Sequence, residues 1–305
     1  MARGEGEGHS VDRGWRIIIR ECMPTTSKIE IQNVRREFHS KRGSVVALAD
    51  TSVSVQEGEF ICFVGPSGCG KSTLLNIVAG LDFPTQGMVK VNGDPVTGPG
   101  MDRVVIFQEP ALFPWLNVMR NVEFGLKRHI PERKRREEIA RYFLQLVHLG
   151  RFEKAYVHEL SGGMKSRVAI ARALALNPQV LLMDEPFAAL DAQTRDILHE
   201  ELQDIWSLTK KTILFVTHNV REAVRLADRV LIFTARPGRI KKEVRIELPH
   251  PRDVNDPNTM RYAQDIGACL REEVEKFLKE EVDQNWSLKR AAILETLDTS
   301  LGGGI

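Results

Sequence analysis

Eight residues, Gly65-Pro66-Ser67-Gly68-Cys69-Gly70-Lys71-Ser72, lie between the apolar run Phe60 to Val64 and the helix-like stretch Thr73 to Ala79. A strand that is apolar throughout must be covered on both faces, so strand, glycine-rich turn and helix in that order point to an α/β architecture. The turn fits the P-loop pattern. Gly65, Pro66, Ser67, Gly68, Cys69 and Gly70 let the backbone wrap a β-phosphate, Lys71 reaches the β- and γ-oxygens as a point charge, and the Ser72 hydroxyl takes a Mg²⁺ position. Thr73 is placed to add a contact at the α-phosphate. Cys69 sits at a helix start, which is expected to lower its thiol pKa and make it sensitive to alkylation.

Two further motifs complete a site. The run Val180 to Met183 ends in Asp184-Glu185, two acids at the carboxyl end of an expected strand. Asp184 is expected to hold the metal through water, and Glu185 to polarise the attacking water; a glutamate directly after the aspartate points to hydrolysis rather than transfer to an acceptor. Leu160-Ser161-Gly162-Gly163-Met164 leads straight into a helical stretch. Ser161, Gly162 and Gly163 open that helix with free N–H groups and a positive dipole end, which makes a second phosphate site. Two such sites in one chain, beside one acidic strand end, imply that each nucleotide is sandwiched between two copies of the protein. Gln108 closes a strand before the loop Pro110 to Trp115, where an amide can ligate Mg²⁺ and orient the water. Its place between the two phosphate motifs, rather than the residue type, brings it into the site. His218 ends the strand Ile213 to Thr217 and is expected to bond the γ-phosphate and join it to Glu185.

Around these motifs the chain divides by pattern. Runs at Ile29 to Val34, Thr51 to Val55, Phe60 to Val64 and Met88 to Val91, with an Asn92-Gly93 turn, predict a β-rich start. A strand at Val104 to Phe107 precedes helical patterning from Val118 to Leu149, read as a separate lobe. The runs Val180 to Met183, Ile213 to Val216 and Val230 to Phe233 predict buried parallel strands. Arg133 to Arg136 are hemmed in by Glu132, Glu137 and Glu138 and read as a solvated helix face. With 43 basic against 41 acidic residues, a net charge of +2, nothing recommends a nucleic-acid partner. The four cysteines show no C-x-x-C spacing and are expected to be free thiols. No apolar run approaches the ~18 residues that span a bilayer, and the glycine- and glutamate-rich start is no secretory signal, so the protein is expected in the cytoplasm. Residues 1–27 are expected to be a disordered leader, with Met23 rather than Met1 as the true start. Beyond Pro249, a polar linker is expected to precede an amphipathic helix carrying Tyr262, Ile266, Leu270, Val274 and Phe277, packed back on the body; Gly302 to Gly304 should be mobile.

The ordered set of motifs over roughly Ile29 to Leu248 resembles the ATP-binding subunit of ABC transporters. The resemblance implies a P-loop NTPase of the ABC ATPase kind, with an antiparallel β subdomain, a RecA-like parallel-sheet core and an inserted helical lobe. It places the ATPase domain at 28–248, the lobe at about 109–178, and a linker and helical tail at 249–305. ATP and Mg²⁺ are the implied ligands. Asp191, in Ala189-Leu190-Asp191, is implied to run along the dimer interface and link the two sites, and Phe38 to stack on adenine, with a plain core role as its competitor. Because no span is evident, separate transmembrane permease subunits are implied, docking near Gln108 to Trp115 at the cytoplasmic face of the membrane, with an extracytoplasmic solute-binding protein delivering the solute. Val96 to Gly100, Leu112 to Trp115, Asp184 to Arg195 and Arg236 to Ile240 look like the nitrate, sulfonate, taurine and bicarbonate importers. Lys165-Ser166 and Asn219 depart from the usual family residues; Met164 departs from the general family but is frequent in this subfamily. Two other classes compete: a soluble non-transport ABC ATPase, which would more often carry coiled-coil insertions or two fused units, and a P-loop kinase or GTPase, which leaves Leu160 to Met164 unexplained.

Overall fold

The computed structural model describes residues 29–41 and 43–276. The expected leader, the Met23 start, Phe277 and Gly302 to Gly304 lie outside them.

Two sheets form. The first is antiparallel, in the order β2-β1-β4-β5, from β1 (Ile29–Ser40), β2 (Gly43–Val55), β4 (Gln86–Val91) and β5 (Asp94–Pro95). Asn92 and Gly93 both have positive φ, 55° and 83°, which is the backbone that a two-residue hairpin turn needs. β1 runs beyond the expected Val34. Register shifts between Ile31 and Glu37 break the alternation that would have revealed its second half, and the strand pairs onward to Ser40. Phe38 therefore lies within β1, opposite Val45.

The second sheet has the order β10-β9-β3-β8-β7-β6. It contains β3 (Phe60–Val64), β6 (Arg103–Ile106), β7 (Val180–Asp184), β8 (Thr212–Thr217), β9 (Arg229–Phe233) and β10 (Ile240–Arg245). All pairs are parallel except β9 with β10. β3, β8 and β9 are buried throughout because helices cover both faces. The side-chain period of two sorts β3 accordingly: Ile61 and Phe63 pack with Leu74 and Leu75 of helix α1 (Lys71–Ala79), whereas Phe60, Cys62 and Val64 join a larger core on the opposite face.

That larger core includes α2 (Val118–Glu123), α3 (Arg133–Leu146) and α4 (Gly162–Ala175), which pack on one another. The helical stretch expected over Val118 to Leu149 is interrupted. A 3₁₀ turn at Gly125–Arg128 and a break before Pro131 separate α2 from α3, as a proline that cannot sit inside a helix requires. Helices α5 (Ala192–Thr209) and α6 (Val220–Leu226) flank β8, and α7 occupies residues 257–276.

The segment joining β10 to α7 differs from a free polar linker. Arg252 is 5% exposed and donates to the carbonyls of Val224, Ala227, Ile246 and Leu248. Burial pulls its pKa down, to about 10, so it remains a cation at neutral pH. Two of its acceptors lie at the carboxyl end of α6, where helix carbonyls lack intrahelical partners. Ile266 of α7 is fully buried in the larger core, with Tyr262, Ala263 and Cys269 packed beside it.

Candidate functional site

The four parallel strands β3, β8, β7 and β6 are consecutive neighbours, so the residues at their carboxyl ends share one edge. β3 delivers the glycine-rich loop, β8 His218, β7 Asp184 and Glu185, and β6 Gln108, two residues past Ile106.

In the loop, Gly70 is the N-cap of α1 at φ 97°, and a Cβ there would lie 2.7 Å from the Ala47 carbonyl, so no other residue fits. Lys71 is 5% exposed, and its Nζ donates to the carbonyls of Gly65 and Pro66 at 2.9 Å each. The ammonium thus sits inside the loop that it serves. Arg236 donates from Nε to the Gly68 carbonyl at 3.0 Å, bracing the loop from the β9–β10 turn.

Cys69 corrects an expectation. Its thiol is 1% exposed, and burial raises its pKa against the opposing charge of Lys71, whose Nζ lies 3.7 Å from Sγ. The helix start does not make a reactive thiolate because the sulfur has left water. Alkylation of the native protein followed by peptide mass analysis should show Cys69 reacting at least ~10-fold more slowly than half-buried Cys269. Equal rates would contradict the burial.

The Ser72 hydroxyl donates to Asp184 Oδ1 at 2.9 Å, joining the loop to β7. The Asp184 pKa is raised, first by burial and then by the neighbouring Glu185 charge, with the Ser72 hydrogen bond and Lys71 opposing. Glu185 has φ 46°, a left-handed conformation that is uncommon for a residue with a Cβ. Its N–H still bonds the Val216 carbonyl at 3.0 Å, so the chain reverses sharply while staying attached to β8. The reversal brings Glu185 Oε2 to 2.9 Å from His218 Nδ1. The histidine side chain is 61% exposed, the glutamate 24%, so a ligand can reach the pair from one side. Gln108 is also exposed, at the end of the strand beside β7.

Ser161 caps α4 by accepting from the Met164 N–H at 3.3 Å, and Asp191 caps α5 by accepting from the Thr194 N–H at 3.0 Å. The hydrogen bond from Thr194 holds the Asp191 carboxyl below its usual range. These two helix starts lie side by side: a Cβ on Gly163 would meet Thr194 Cγ2 at 2.4 Å, and one on Gly162 would meet Leu190 at 3.3 Å. The glycines of this motif therefore serve close packing within the chain, while Ser161, Gly162 and Asp191 remain exposed. Phe38 stands apart on the antiparallel sheet, 43% exposed with the Arg36 guanidinium 4.4 Å from its ring centre, which removes the plain core reading.

Several positioning residues carry no sequence signal. Buried Asn121 exchanges hydrogen bonds with Phe113 N and O and donates to the Leu116 and Asn117 carbonyls, templating the loop after Gln108. Arg172 of α4 donates to the carbonyls of Pro110 and Ala111, tying the helix that begins at Ser161 to that same loop. Among the described residues no group of three or more His, Cys, Asp or Glu could hold a metal by itself, and no helix is long and apolar enough to cross a membrane.

The sequence profile described as "ABC transporter" matches residues 48–188. The nitrate import ATP-binding protein NrtD of Synechocystis sp. is 50% identical over 252 residues, covering 80% of this chain and 95% of that protein. The taurine import ATP-binding protein TauB of Burkholderia pseudomallei is 50% identical over 214 residues, covering 70% and 82%. A solved dimeric structure of MJ0796, a bacterial ABC transporter cassette, matches with a TM-score of 0.65 and 32% identity over 72% of this chain and 100% of that one. With the loop, the acidic strand end and the helix start at Ser161 assembled on one such framework, the chain belongs to the ABC transporter family, as an ATP-hydrolysing subunit.

Proposed function

We propose that the protein energises uptake of a small anion, such as nitrate, a sulfonate, taurine or bicarbonate, through separate transmembrane permease subunits at the cytoplasmic face of the membrane. The observation that carries the nucleotide half of this reading is the shared edge of β3, β8, β7 and β6, with the Ser72–Asp184 and Glu185–His218 bonds across it. The transport half is supported by the nitrate and taurine import relatives, and their equal identity leaves the solute open within that class. A soluble motor subunit would not touch the cargo, so its residues carry no record of it.

In this reading Gly65 to Thr73 hold the ATP phosphates and Phe38 stacks on adenine. Lys71 exchanges its two loop carbonyls for phosphate oxygens, a substitution of neutral acceptors by charged ones that strengthens each bond. Ser72, Gln108 and, through water, Asp184 would hold Mg²⁺, which would neutralise charge developing on the β- and γ-phosphates. The donor set fits such an ion: every group is an oxygen, and the half-buried Asp184 carboxylate beside Glu185 gains from a cation. Glu185 orients a water and takes its proton, and His218 bonds the γ-phosphate while keeping Glu185 in place. Ser161, Gly162 and Gly163 of one copy would close over the nucleotide of a second copy, with Asp191 at the seam. The permease would dock near the loop from Gln108 to Trp115, whose end residue is 70% exposed.

Light scattering of the Glu185→Gln protein in Mg·ATP tests the shared site. The expected result is a dimer that Ser161→Arg dissolves, because the long side chain fills the space over the helix start and the hydroxyl that caps the helix is lost. A persistent monomer that still binds ATP would contradict the sandwich. Co-purification with a permease from the membrane fraction separates a transporter subunit from a soluble ABC ATPase of another role.

A further inference from the structure

Beneath the Glu185–His218 pair lies a buried polar chain that none of the proposed roles uses. His199, on α5, is 3% exposed, and its Nε2 lies 2.6 Å from Glu222 Oε1. Glu222, 6% exposed on α6, accepts with its other oxygen from the Thr217 hydroxyl. That same hydroxyl accepts the Asn219 N–H at 2.9 Å. Thr217 and Asn219 are the two chain neighbours of His218, so the backbone on both sides of the histidine is referred to one carboxylate.

The ring of His199 also faces the other partner. It meets Phe187 edge-on at 5.5 Å between centres, and Phe187, 1% exposed, lies two residues after Glu185. One side chain thus touches both segments whose ends meet in the 2.9 Å contact between Glu185 and His218. We propose that His199 is a positioning residue for hydrolysis, holding Glu185 and His218 in register through Phe187 on one side and Glu222 and Thr217 on the other. A pair kept only for stability would gain little here, since buried ionisable pairs are often replaced by apolar side chains without loss. His199 Nδ1 moreover has no hydrogen-bond partner, its nearest acid being Asp196 at 3.9 Å, so the ring is satisfied on the Glu222 side alone. The proposal rests on the roles given above to Glu185 and His218.

Single-turnover phosphate release, with protein in excess over Mg·ATP, tests it beside ATP affinity and melting temperature. His199→Leu removes the donor to Glu222, and Thr217→Val removes the hydroxyl. Each should slow release about tenfold with ATP affinity within about twofold, the size expected when a reacting pair loses register but not its groups. His199→Gln and Thr217→Ser, which keep a donor, should return the rate to within about threefold of the parent. His218→Ala is the reference. If it is slow while His199→Leu and Thr217→Val keep the parental rate, the positioning role is overturned and the reading of His218 stands. The role is equally overturned if rate, ATP affinity and melting temperature fall together in His199→Leu and His199→Gln restores none of them. A parental rate for His218→Ala overturns the reading of His218 and this proposal with it.

Discussion

Glu185→Gln is expected to reduce ATP turnover by roughly 10²–10⁴-fold, the range for loss of a positioned general base, or ~3–5 kcal/mol on the barrier. The amide matches the carboxylate in shape, so the left-handed turn at φ 46° and the bond from Glu185 N–H to Val216 are untouched. A hydrogen bond with His218 also survives, because one amide position can accept or donate as the ring's tautomer requires. What the amide lacks is basicity toward a water proton. ATP affinity should stay within about threefold of the parent, since no phosphate contact is removed. Phosphate release and ATP titration on the same preparation check both halves. A turnover loss of less than tenfold would mean that another group takes the proton.

Lys71→Ala is expected to weaken ATP binding by about 10²-fold or more, because charge-assisted bonds to phosphate are worth ~1.5–3 kcal/mol each. The cost has a second source. Lys71 is buried and donates to Gly65 and Pro66 at 2.9 Å, so its removal leaves two loop carbonyls without their donor and loosens the cradle before nucleotide arrives. Lys71→Arg should not restore binding, since a planar guanidinium does not fit where a compact ammonium sits 3.7 Å from the Cys69 sulfur. Equilibrium titration with Mg·ATP decides the matter; parental affinity in Lys71→Ala would remove the lysine from the phosphate site.

These two residues stand in motifs whose meaning is local, and such motifs were readable before any coordinates. Phe60 to Val64 is a strand with the predicted bounds because five successive apolar residues before a glycine-rich turn leave little alternative. Ser161 caps the helix that it is expected to open, as its residue type favours. The second half of β1, which holds Phe38, is not legible in the sequence because bulges erase the alternation by which strands are recognised. The reactivity of Cys69 was misjudged because a helix start is visible in sequence and the depth at which its sulfur lies is not. Arg252 reads as part of a polar linker, since composition cannot report that two carbonyls at the end of α6 and two just before it in the chain await its donors.

The amino-acid sequence by itself determined the nucleotide loop, the acidic strand end, the helix start at Ser161 and the parallel α/β sheet that carries them. Each depends on residues within one strand, turn or helix, where backbone geometry and hydrogen-bonding capacity follow from residue type. Only the tertiary structure decided that Ser72 bonds Asp184 directly across 112 residues, that the expected link between Glu185 and His218 is a direct 2.9 Å contact, and that His199 lies beneath them against Glu222. Such contacts depend on which strands become neighbours and which side chains leave water together. Strand order and burial are properties of the packed sheet and its covering helices, and no single segment contains them.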